Sequence, residues 1–408
     1  MTEVTATIGT TLAASRGMGD PDRGVAMFLT DRDLAELIAW RRELHRRPEL
    51  SGQEMETARK VEGCLAATGA DRIVPGLGGH GVAAVYEGAA PGPTVMFRAE
   101  LDGLPIEEIS EVPHRSAVSG KAHLCGHDGH MATLAALARG LERRRLGRGR
   151  AVLLFQPAEE NGAGAAAVLA DPRFQDIAPD YAFALHNMPG LSLGQVALDA
   201  GPVNCASRGM RIVLTGKTAH ASMPEHGVSP MAAVVRLMPA LTALGPGGPL
   251  TERFVLVTVT HARMGEPAFG IAPGHAEVWA TLRTLTDAGM AKLCGAAESL
   301  ARGAAKDPGL RVEITYDDVS VHCENDPEAV ALLRRALDAE GVPHDKGELL
   351  MRGSEDFGRF GRNARAAMFF LGAGEAHPSL HNPDYDYPDE LIAVGARVFM
   401  RTLRELLG

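Results

Sequence analysis

Residues 123–130 read His123-Leu124-Cys125-Gly126-His127-Asp128-Gly129-His130, and the predicted strands that end around this segment decide the fold. The segment holds one thiol, three imidazoles and one carboxylate within eight residues. Thiolate and neutral imidazole are usual ligands of zinc and of neighbouring transition metals. Any one of these side chains, taken alone, is more typical of a buried or hydrogen-bonded residue. A metal site is therefore a hypothesis that the rest of the sequence has to test.

Short apolar runs alternate with helical patterns on both sides of this segment. The runs are typical of strands in a sheet that is covered on both faces, and they lie at 81–86, 94–101, 151–155 and 181–185. Helical periodicity is present at 31–46, 54–68, 130–145 and 163–170. Strands that alternate with helices predict an α/β layer. A helix at 327–339, a strand at 366–371 and a helix at 388–407 are predicted to rejoin this layer.

Polar side chains stand where three of these strands end. They are Glu100 and Asp102, then Glu159 and Glu160, then His186 and Asn187. Open α/β sheets bind ligands beyond the carboxyl ends of their strands. These groups are therefore expected to converge with the loop that carries Cys125 and His127.

The pattern changes between residues 207 and 319. Strands are predicted at 210–215, 254–263, 276–285 and 311–320, with helices at 229–244 and 287–302. This order is βαββαβ, a ferredoxin-like unit of about 110 residues, which is a suitable length for an inserted domain.

Composition limits the class of protein. A chain of 408 residues is long enough for two domains, and its net charge of −10 argues against a nucleic-acid-binding surface. The five cysteines are too few and too scattered for a disulfide framework, which favours a reducing, cytoplasmic compartment. Neither an export signal nor a membrane-spanning apolar run is indicated. Residues 1–29 are predicted to be a disordered extension.

The chain resembles the M20 metallopeptidase family, and within it the aminoacylase-like amidohydrolase branch of hippurate and indole-acetyl-amino-acid hydrolases. The resemblance runs from about residue 31 to the C-terminus and rests on collinear motifs. These motifs are Arg42–Leu50, Arg98–Ile106, His123–His130, Phe155–Gly162, Ala184–Asn187, Gly216–Pro224, Gly353–Phe357 and Leu380–Pro383.

The resemblance implies a zinc-peptidase-like α/β catalytic domain, formed by 30–206 and 320–408, with an inserted lid or dimerisation domain at 207–319. It also implies two divalent metal ions, for which Zn, Mn, Co and Ni are the candidates. Their implied ligands are Cys125, His127, Glu160, His186 and His381.

The same resemblance implies roles in catalysis for three further residues. Glu159 matches the general base of the family, and Asp102 matches a carboxylate that orients a ligand imidazole. His220 matches a histidine that stabilises the oxyanion, in dimeric relatives within the site of the partner subunit. An exposed loop histidine is the alternative interpretation of His220.

Substrate contacts are implied at Arg283, Gly270 and Asn187. Arg283 matches an arginine that could meet a substrate carboxylate, with a surface ion pair as the alternative. Gly270 stands where many relatives have an Asn that contacts substrate. A second departure is Glu100, where this branch usually has Asp.

We therefore predict a metal-dependent amidohydrolase that cleaves the amide bond of an N-acyl amino acid, in a homodimer formed through the inserted domain. A dipeptidase or a specialised N-acetyl-amino-acid deacetylase is the nearest alternative. A non-catalytic metal-binding homologue is the alternative from another class. Neither nucleic acid nor a membrane is expected as a partner.

Overall fold

A computed structural model describes residues 28–306, 309–347 and 349–408 of the chain. The α-helices in these ranges are α1 (Asp31–His45), α2 (Met55–Ala66), α3 (His127–Arg143), α4 (Gly164–Ala170), α5 (Met231–Leu244), α6 (Asp287–Lys306), α7 (Pro327–Glu340) and α8 (Glu390–Leu407). Short 3₁₀ helices lie at Pro172–Ile177, Pro224–His226 and Asp356–Arg362.

The strands in the first half of the described chain are β1 (Arg72–Leu77), β2 (Gly81–Glu87), β3 (Thr94–Glu100), β4 (Arg150–Gln156), β5 (Tyr181–Pro189), β6 (Val196–Ala197), β7 (Gly201–Asn204) and β8 (Ala206–Thr215). Those in the second half are β9 (Ala219–His220), β10 (Val255–Met264), β11 (Ile271–Ala272), β12 (His275–Thr284), β13 (Arg311–Ser320), β14 (Cys323–Asn325), β15 (His344–Asp345) and β16 (Arg365–Gly374).

Eight of these strands form one mixed sheet in the order β1-β2-β4-β3-β5-β16-β6-β15. Its centre is parallel, because β4, β3, β5 and β16 all run in one direction. Helices cover both faces, which confirms the predicted α/β fold class. The carboxyl ends of the central strands consequently meet at one edge, where a ligand site is expected.

The central strands are buried on both faces of this sheet. In β3, Val95 and Phe97 point into a core formed with α1, α2, α3, α7 and α8, whereas Met96 points into a core on the opposite face. This division follows from the alternation of side chains along a strand. Burial on both faces explains why these strands are continuous apolar runs in the sequence.

A second sheet has four antiparallel strands in the order β10-β12-β8-β13. Helices α5 and α6 pack on one face of it and share a separate hydrophobic core with the strands. The succession β8, α5, β10, β12, α6, β13 is the βαββαβ order expected for 207–319. The limits of this unit as a domain and its role as a lid stay predictions.

The main layer differs from the sequence prediction in strands β1, β6 and β15, which were not predicted, and at residues 28–29. Strand β1 is present although no strand was predicted there, because Pro75 and Gly76 interrupt its apolar pattern. Of the predicted extension 1–29, residues 1–27 lie outside the described residues, whereas Phe28 and Leu29 pack against the main core. Within the described ranges, every helix is too short or too polar to span a bilayer.

Candidate metal centre

The cluster 123–130 folds into a tight turn that leads into α3. Gly126 adopts a left-handed conformation with φ of 90° and serves as the N-cap of the helix. A Cβ atom at this position would collide with the side-chain amide of Asn187, so that glycine is required here. The turn places Cys125 immediately before the helix and His127 in its first turn.

His127 is oriented by the backbone that follows β3. Its Nδ1 donates a hydrogen bond to the carbonyl oxygen of Asp102 over 2.8 Å. The Asp102 carboxylate accepts hydrogen bonds from the backbone N–H of Glu160 over 3.0 Å and from the Ser51 hydroxyl over 2.7 Å. Asp102 therefore fixes one imidazole and the start of the Glu160 segment at once.

His186 lies on β5, beside the cluster. Its Nδ1 donates to the carbonyl oxygen of Asn187 over 2.8 Å, which directs Nε2 toward the Cys125 sulfur at 3.5 Å. With one ring nitrogen engaged in this way, the other is free to bind a metal ion.

Glu159 and Glu160 follow β4 through a turn in which Ala158 has φ of 51°. His381 lies in a distant loop and also has a left-handed backbone, with φ of 65°. The backbone N–H of His381 donates to the carbonyl oxygen of Leu124 over 2.9 Å, which fastens that loop to the cluster. Left-handed conformations are costly for residues with a Cβ, and such outliers concentrate at functional sites.

The structure brings all five candidate ligands together. Two sets of three residues each have donor atoms that lie within 4.8 Å of one another. The first set is Cys125, His127 and His186, and the second is Cys125, Glu160 and His381. The two sets share Cys125. Glu160 also belongs to a third set of the same kind, which it forms with His127 and Glu159.

Among the candidate ligands, the imidazole nitrogens and the carboxylate oxygens are too far apart to form hydrogen bonds with one another, but their spacing suits divalent metal ions. His127 Nε2 and Glu160 Oε1 are buried, lie 3.8 Å apart and have no hydrogen-bond partner among the described residues. His381 Nε2 and Glu160 Oε2 lie 3.6 Å apart. Two ligands that each stand about 2.1 Å from one cation are separated by about 3–4 Å. The spacing and the unpartnered atoms therefore suit cations between these side chains.

Glu159 and Glu160 are buried in surroundings that disfavour their ionised forms. Burial raises the pKa of Glu160 to about 7, although the neighbouring His127 opposes this. Burial, together with the negative charges of Glu355 and Glu160, raises the pKa of Glu159 well above its usual value. A cation bound between these groups would favour their charged forms.

The thiol and the imidazoles are shifted too. Burial raises the pKa of Cys125 well above its usual value, and Glu160 and Glu159 raise it further. Burial lowers the pKa of His186 to about 3, which keeps this ring neutral. Burial opposes the charge on His127, but its bond to Asp102 and nearby carboxylates raise the pKa to about 10. A metal ion would displace the protons of Cys125 and His127.

A buried arginine organises the acidic groups behind the site. Arg98 on β3 donates to Glu355 over 2.9 Å and to Asp356 over 2.6 Å, and it also contacts Glu100. Glu100 accepts a second bond from His130 Nδ1 over 2.6 Å. The sequence assigned no role to Glu355 and Asp356, although an arginine within the apolar run 94–101 is a signal that buried carboxylates must accompany it.

A cavity of about 350 Å³ opens in front of these donors and reaches the second sheet. Glu159, Glu160 and His381 line its inner part, and Arg283 of β12 lines its outer part. Arg283 donates to the carbonyl oxygen of Arg352 over 2.9 Å and forms no ion pair with a described residue. The alternative of a surface ion pair is therefore absent from the described structure, and the guanidinium keeps N–H groups for an anionic ligand.

Five of the predicted site residues do not line this cavity, namely Asp102, His127, Asn187, His220 and Gly270. Asp102 and His127 are buried behind it. Asn187 is buried behind the site, where its side chain bonds to His130 and Tyr385, because neighbouring residues on β5 point to opposite faces. His220 is exposed on β9, and its Nδ1 lies 2.7 Å from the Ser222 hydroxyl. Gly270 is exposed directly before β11, and its carbonyl oxygen accepts a hydrogen bond from the backbone N–H of Ala221 over 3.0 Å.

Comparison with known proteins gives consistent results. Residues 96–405 match the model of "Peptidase family M20/M25/M40". The N-acetylcysteine deacetylase of Bacillus subtilis is 30% identical over 373 residues, which are 89% of this chain and 94% of that protein. The hippurate hydrolase of Campylobacter jejuni is 30% identical over 371 residues, which are 88% and 94% of the two chains.

A solved structure is similar over nearly the whole described chain. The YxeP protein of Bacillus subtilis, described as a dinuclear metal-binding peptidase, superimposes with a TM-score of 0.78 at 27% identity. The superposition covers 93% of this chain and 99% of that one.

Proposed function

The chain belongs to the M20/M25/M40 peptidase family and is a metal-dependent amidohydrolase, and we propose that it hydrolyses the amide bond of N-acyl amino acids. The observation that carries this proposal is the convergence of five candidate metal ligands, four of which line a cavity that also contains Glu159. Glu159 belongs to neither set that shares Cys125, so it is available as an acid and base.

Two divalent metal ions are the cofactors that the site suits. One would be held by Cys125, His127 and His186, and the other by Cys125, Glu160 and His381. Thiolate and imidazole ligands favour Zn, Co or Ni, and carboxylate ligands also admit Mn. When bound, such ions lower the pKa of water and polarise a carbonyl group.

Glu159 is the proposed general base. Its carboxylate would take a proton from the attacking water and deliver it to the nitrogen as the carbon–nitrogen bond breaks. Its position next to Glu160 and outside both sets that share Cys125 supports this role. Asp102 acts as a positioning residue, since it holds His127 and the backbone of Glu160 in place.

Arg283 is proposed to bind the carboxylate of the amino-acid part. Its side chain lines the outer part of the cavity and has no described carboxylate partner. A guanidinium can meet a carboxylate through two parallel hydrogen bonds. The acyl part would then lie toward the apolar side chains of Phe370 and Leu380, which also line the cavity.

The Glu159→Gln variant tests the proposed reaction. We expect two bound metal ions per chain, as in the wild type, and a kcat lowered by about 10²–10⁴-fold, because the base is removed without loss of a ligand. Metal analysis of dialysed protein and hydrolysis of acetyl, benzoyl and indole-acetyl amino acids provide the two measurements. A kcat within a few-fold of the wild type would contradict the role of Glu159.

The same substrate panel separates the alternatives. Hydrolysis of acetyl amino acids alone would indicate a specialised deacetylase, which the similarity to an N-acetylcysteine deacetylase favours as the second candidate. Cleavage of unblocked dipeptides would indicate a dipeptidase. Bound metal without hydrolysis of any of these compounds would indicate a non-catalytic homologue.

We further propose that the chain acts as a homodimer in which His220 completes the site of the partner subunit. The exposure of His220 and its position outside the cavity of its own chain support this arrangement. Strand β10 is an edge strand of the second sheet, and among the described residues only the segment 245–247 pairs with its outer side, at Val255–Val257. Trp279 and Met264 are exposed on that sheet. Such an edge is a ready surface for pairing with another chain.

Mixed dimers test the contribution of His220. Two inactive variants, Glu159→Ala and His220→Ala, should regain partial activity when they are mixed, because one site of each mixed dimer then contains both residues. The absence of any recovery, with subunit exchange verified by mass spectrometry, would contradict a role in the partner subunit. Each variant alone is the matched control.

A cytoplasmic location is also inferred. All five cysteines lie within the described residues and are free, which suits a reducing compartment. Fractionation of cells that express the tagged chain tests this inference, and recovery with an exported marker would contradict it.

A further inference from the structure

Glu355 lies beside the proposed base but has no role in the reaction described so far. It is the N-cap of the 3₁₀ helix Asp356–Arg362, is 3% exposed and lines the cavity. One of its carboxylate oxygens lies within 4.8 Å of a carboxylate oxygen of Glu159. A second acidic group therefore stands where the proton transfer would occur.

The contacts of Glu355 hold its carboxylate in one orientation. Its Oε1 accepts from Arg98 Nη2 over 2.9 Å and from the backbone N–H of Phe357 over 3.0 Å. The ion pair and the backbone donor together hold Oε1 in place. Among the described residues, Oε2 has no hydrogen-bond partner, so one oxygen of a fixed carboxylate remains available to a ligand.

Asp356 offers a comparison within the same cluster. It bonds to Arg98 over 2.6 Å, and its oxygens also accept from Gln156 and from the backbone N–H of Ala165. Asp356 is fully buried and does not line the cavity. Of the three carboxylates that share Arg98, which are Glu100, Glu355 and Asp356, only Glu355 lines the cavity.

We propose that Glu355 binds the nitrogen of the leaving amine through Oε2 and stabilises it as an ammonium group. This inference rests on the proposed function. It adds an anionic subsite for the amine beside the proton donor.

The step balances without any further reactant. Water adds its oxygen to the acyl carbon, and one of its protons moves to Glu159. The carbon–nitrogen bond breaks with its electron pair on nitrogen, which takes that proton from Glu159. The remaining acid proton of the carboxylic product moves through Glu159 to the amine, which leaves a carboxylate and an ammonium ion. Glu355 accepts N–H hydrogen bonds throughout and takes no proton.

A comparison of amide and ester substrates tests this role. An N-acyl amino acid releases an amine, whereas the matching O-acyl hydroxy acid releases an alcohol that never becomes an ammonium ion. We expect Glu355→Gln to lower kcat for the amide by about 10- to 100-fold, the loss of one hydrogen bond to a charged group. The kcat of Glu355→Gln for the ester should stay within about 3-fold of the wild-type kcat.

Asp356→Asn is the matched control, because it loses the same kind of bond to Arg98 without facing the cavity. It should change kcat for amide and ester by the same factor. If Glu355→Gln lowers kcat equally for amide and ester, or for neither, the inference about Glu355 is overturned while the proposed function stands. A wild-type enzyme that hydrolyses neither substrate would overturn the proposed function, and this inference with it.

A binding measurement keeps the test valid if Glu355→Gln fails to fold. In the Glu159→Gln enzyme, the free amino acid product should bind at least about 10-fold more tightly than the same acid without its amino group. Glu355 and Asp318 are then the cavity carboxylates that are neither substituted nor assigned as ligands, so the preference is measured again after Asp318→Asn, where it should persist. Equal affinities by calorimetry at pH 7 would overturn the proposal.

Discussion

Asp102 shows how one residue supports the site without facing the substrate. It is fully buried, its carbonyl oxygen orients His127, and its carboxylate accepts from Ser51 and from the backbone of Glu160. Groups that orient metal ligands usually contribute about 10- to 100-fold to metal affinity. Asp102 is therefore expected to contribute measurably to metal affinity, although it is not a ligand.

We expect Asp102→Ala to weaken metal binding by about 10- to 100-fold, measured by competition with a chromophoric chelator, because it removes the carboxylate that holds the Glu160 backbone and lies 3.5 Å from His127 Nδ1. Ser51→Ala is the matched control. It removes only one hydrogen bond to the same carboxylate and should weaken binding by less. An unchanged affinity in Asp102→Ala would show that the ligands are positioned without this carboxylate.

His45 gives a pH-dependent contribution to stability. It is fully buried, and its Nδ1 lies 2.9 Å from Asp128 and its Nε2 3.3 Å from Glu108. Burial alone would lower its pKa, but the charge and hydrogen bond of Asp128 and the hydrogen bond of Glu108 raise the pKa to about 9. A raised histidine pKa stabilises the fold below the unfolded value of 6.5, and this stability is lost as pH rises through about 9.

The contribution of His45 to the free energy of unfolding should therefore fall by roughly 3 kcal/mol between pH 6.5 and alkaline pH. In urea denaturation, His45→Gln should be less stable than the wild type at pH 6.5, and this difference should largely disappear at alkaline pH. A parallel decline in both proteins would contradict the assignment to His45.

At the residue scale, the sequence predicted which five side chains converge and predicted Asp102 behind them, but it assigned no role to Glu355. Cys125, His127, Glu160, His186 and His381 all lie in motifs that the family resemblance covers. Glu355 lies in such a motif too, yet its partner Arg98 is 257 positions away. A contact over that distance depends on the packing of the sheet, which no local pattern encodes.

The first turn of α1 shows how an element is fixed to its neighbours. Thr30 and Asp33 form a capping box, in which Asp33 accepts from the backbone N–H of Thr30 over 2.7 Å. Asp33 also pairs with Arg143 over 2.7 Å and with Arg139 over 3.0 Å, both on α3. One side chain thus caps a helix and joins it to the helix that carries His127.

We expect Asp33→Ala to lower the free energy of unfolding by about 1–3 kcal/mol, since a cap and two ion pairs are lost together. Glu36→Ala is the matched control on the same helix. Glu36 is exposed and also pairs with Arg139, so that its loss should cost less than about 1 kcal/mol in the same denaturation experiment. Equal effects of the two variants would contradict a special role for the cap.

Element boundaries were predictable where apolar periodicity is strong. Helix α1 was predicted at 31–46 and is present at Asp31–His45, and β13 has the predicted bounds. Helix α3 begins at His127, three residues before the predicted start at 130, because Gly126 turns the chain into the helix earlier than its apolar pattern begins. This shift matters, because it places His127 in the first helical turn.

The whole molecule places its cavity between two sheets. The inner part comes from the strand ends of the main layer, and the outer part comes from the second sheet through residues such as Ser207, Thr281 and Arg283. The βαββαβ order was predictable from sequence, but the contact between the sheets was not. It depends on single interactions such as the bond from Arg283 to the carbonyl oxygen of Arg352.

The most direct test of the central claim is anomalous X-ray diffraction from crystals of the zinc-reconstituted protein, recorded on both sides of the zinc edge. We expect two anomalous peaks per chain. One should lie about 2.0–2.3 Å from the donor atoms of Cys125, His127 and His186, and the other at the same distances from Cys125, Glu160 and His381. Peaks away from these residues, or none at saturating zinc, would contradict the claim that these five side chains form a dinuclear metal centre.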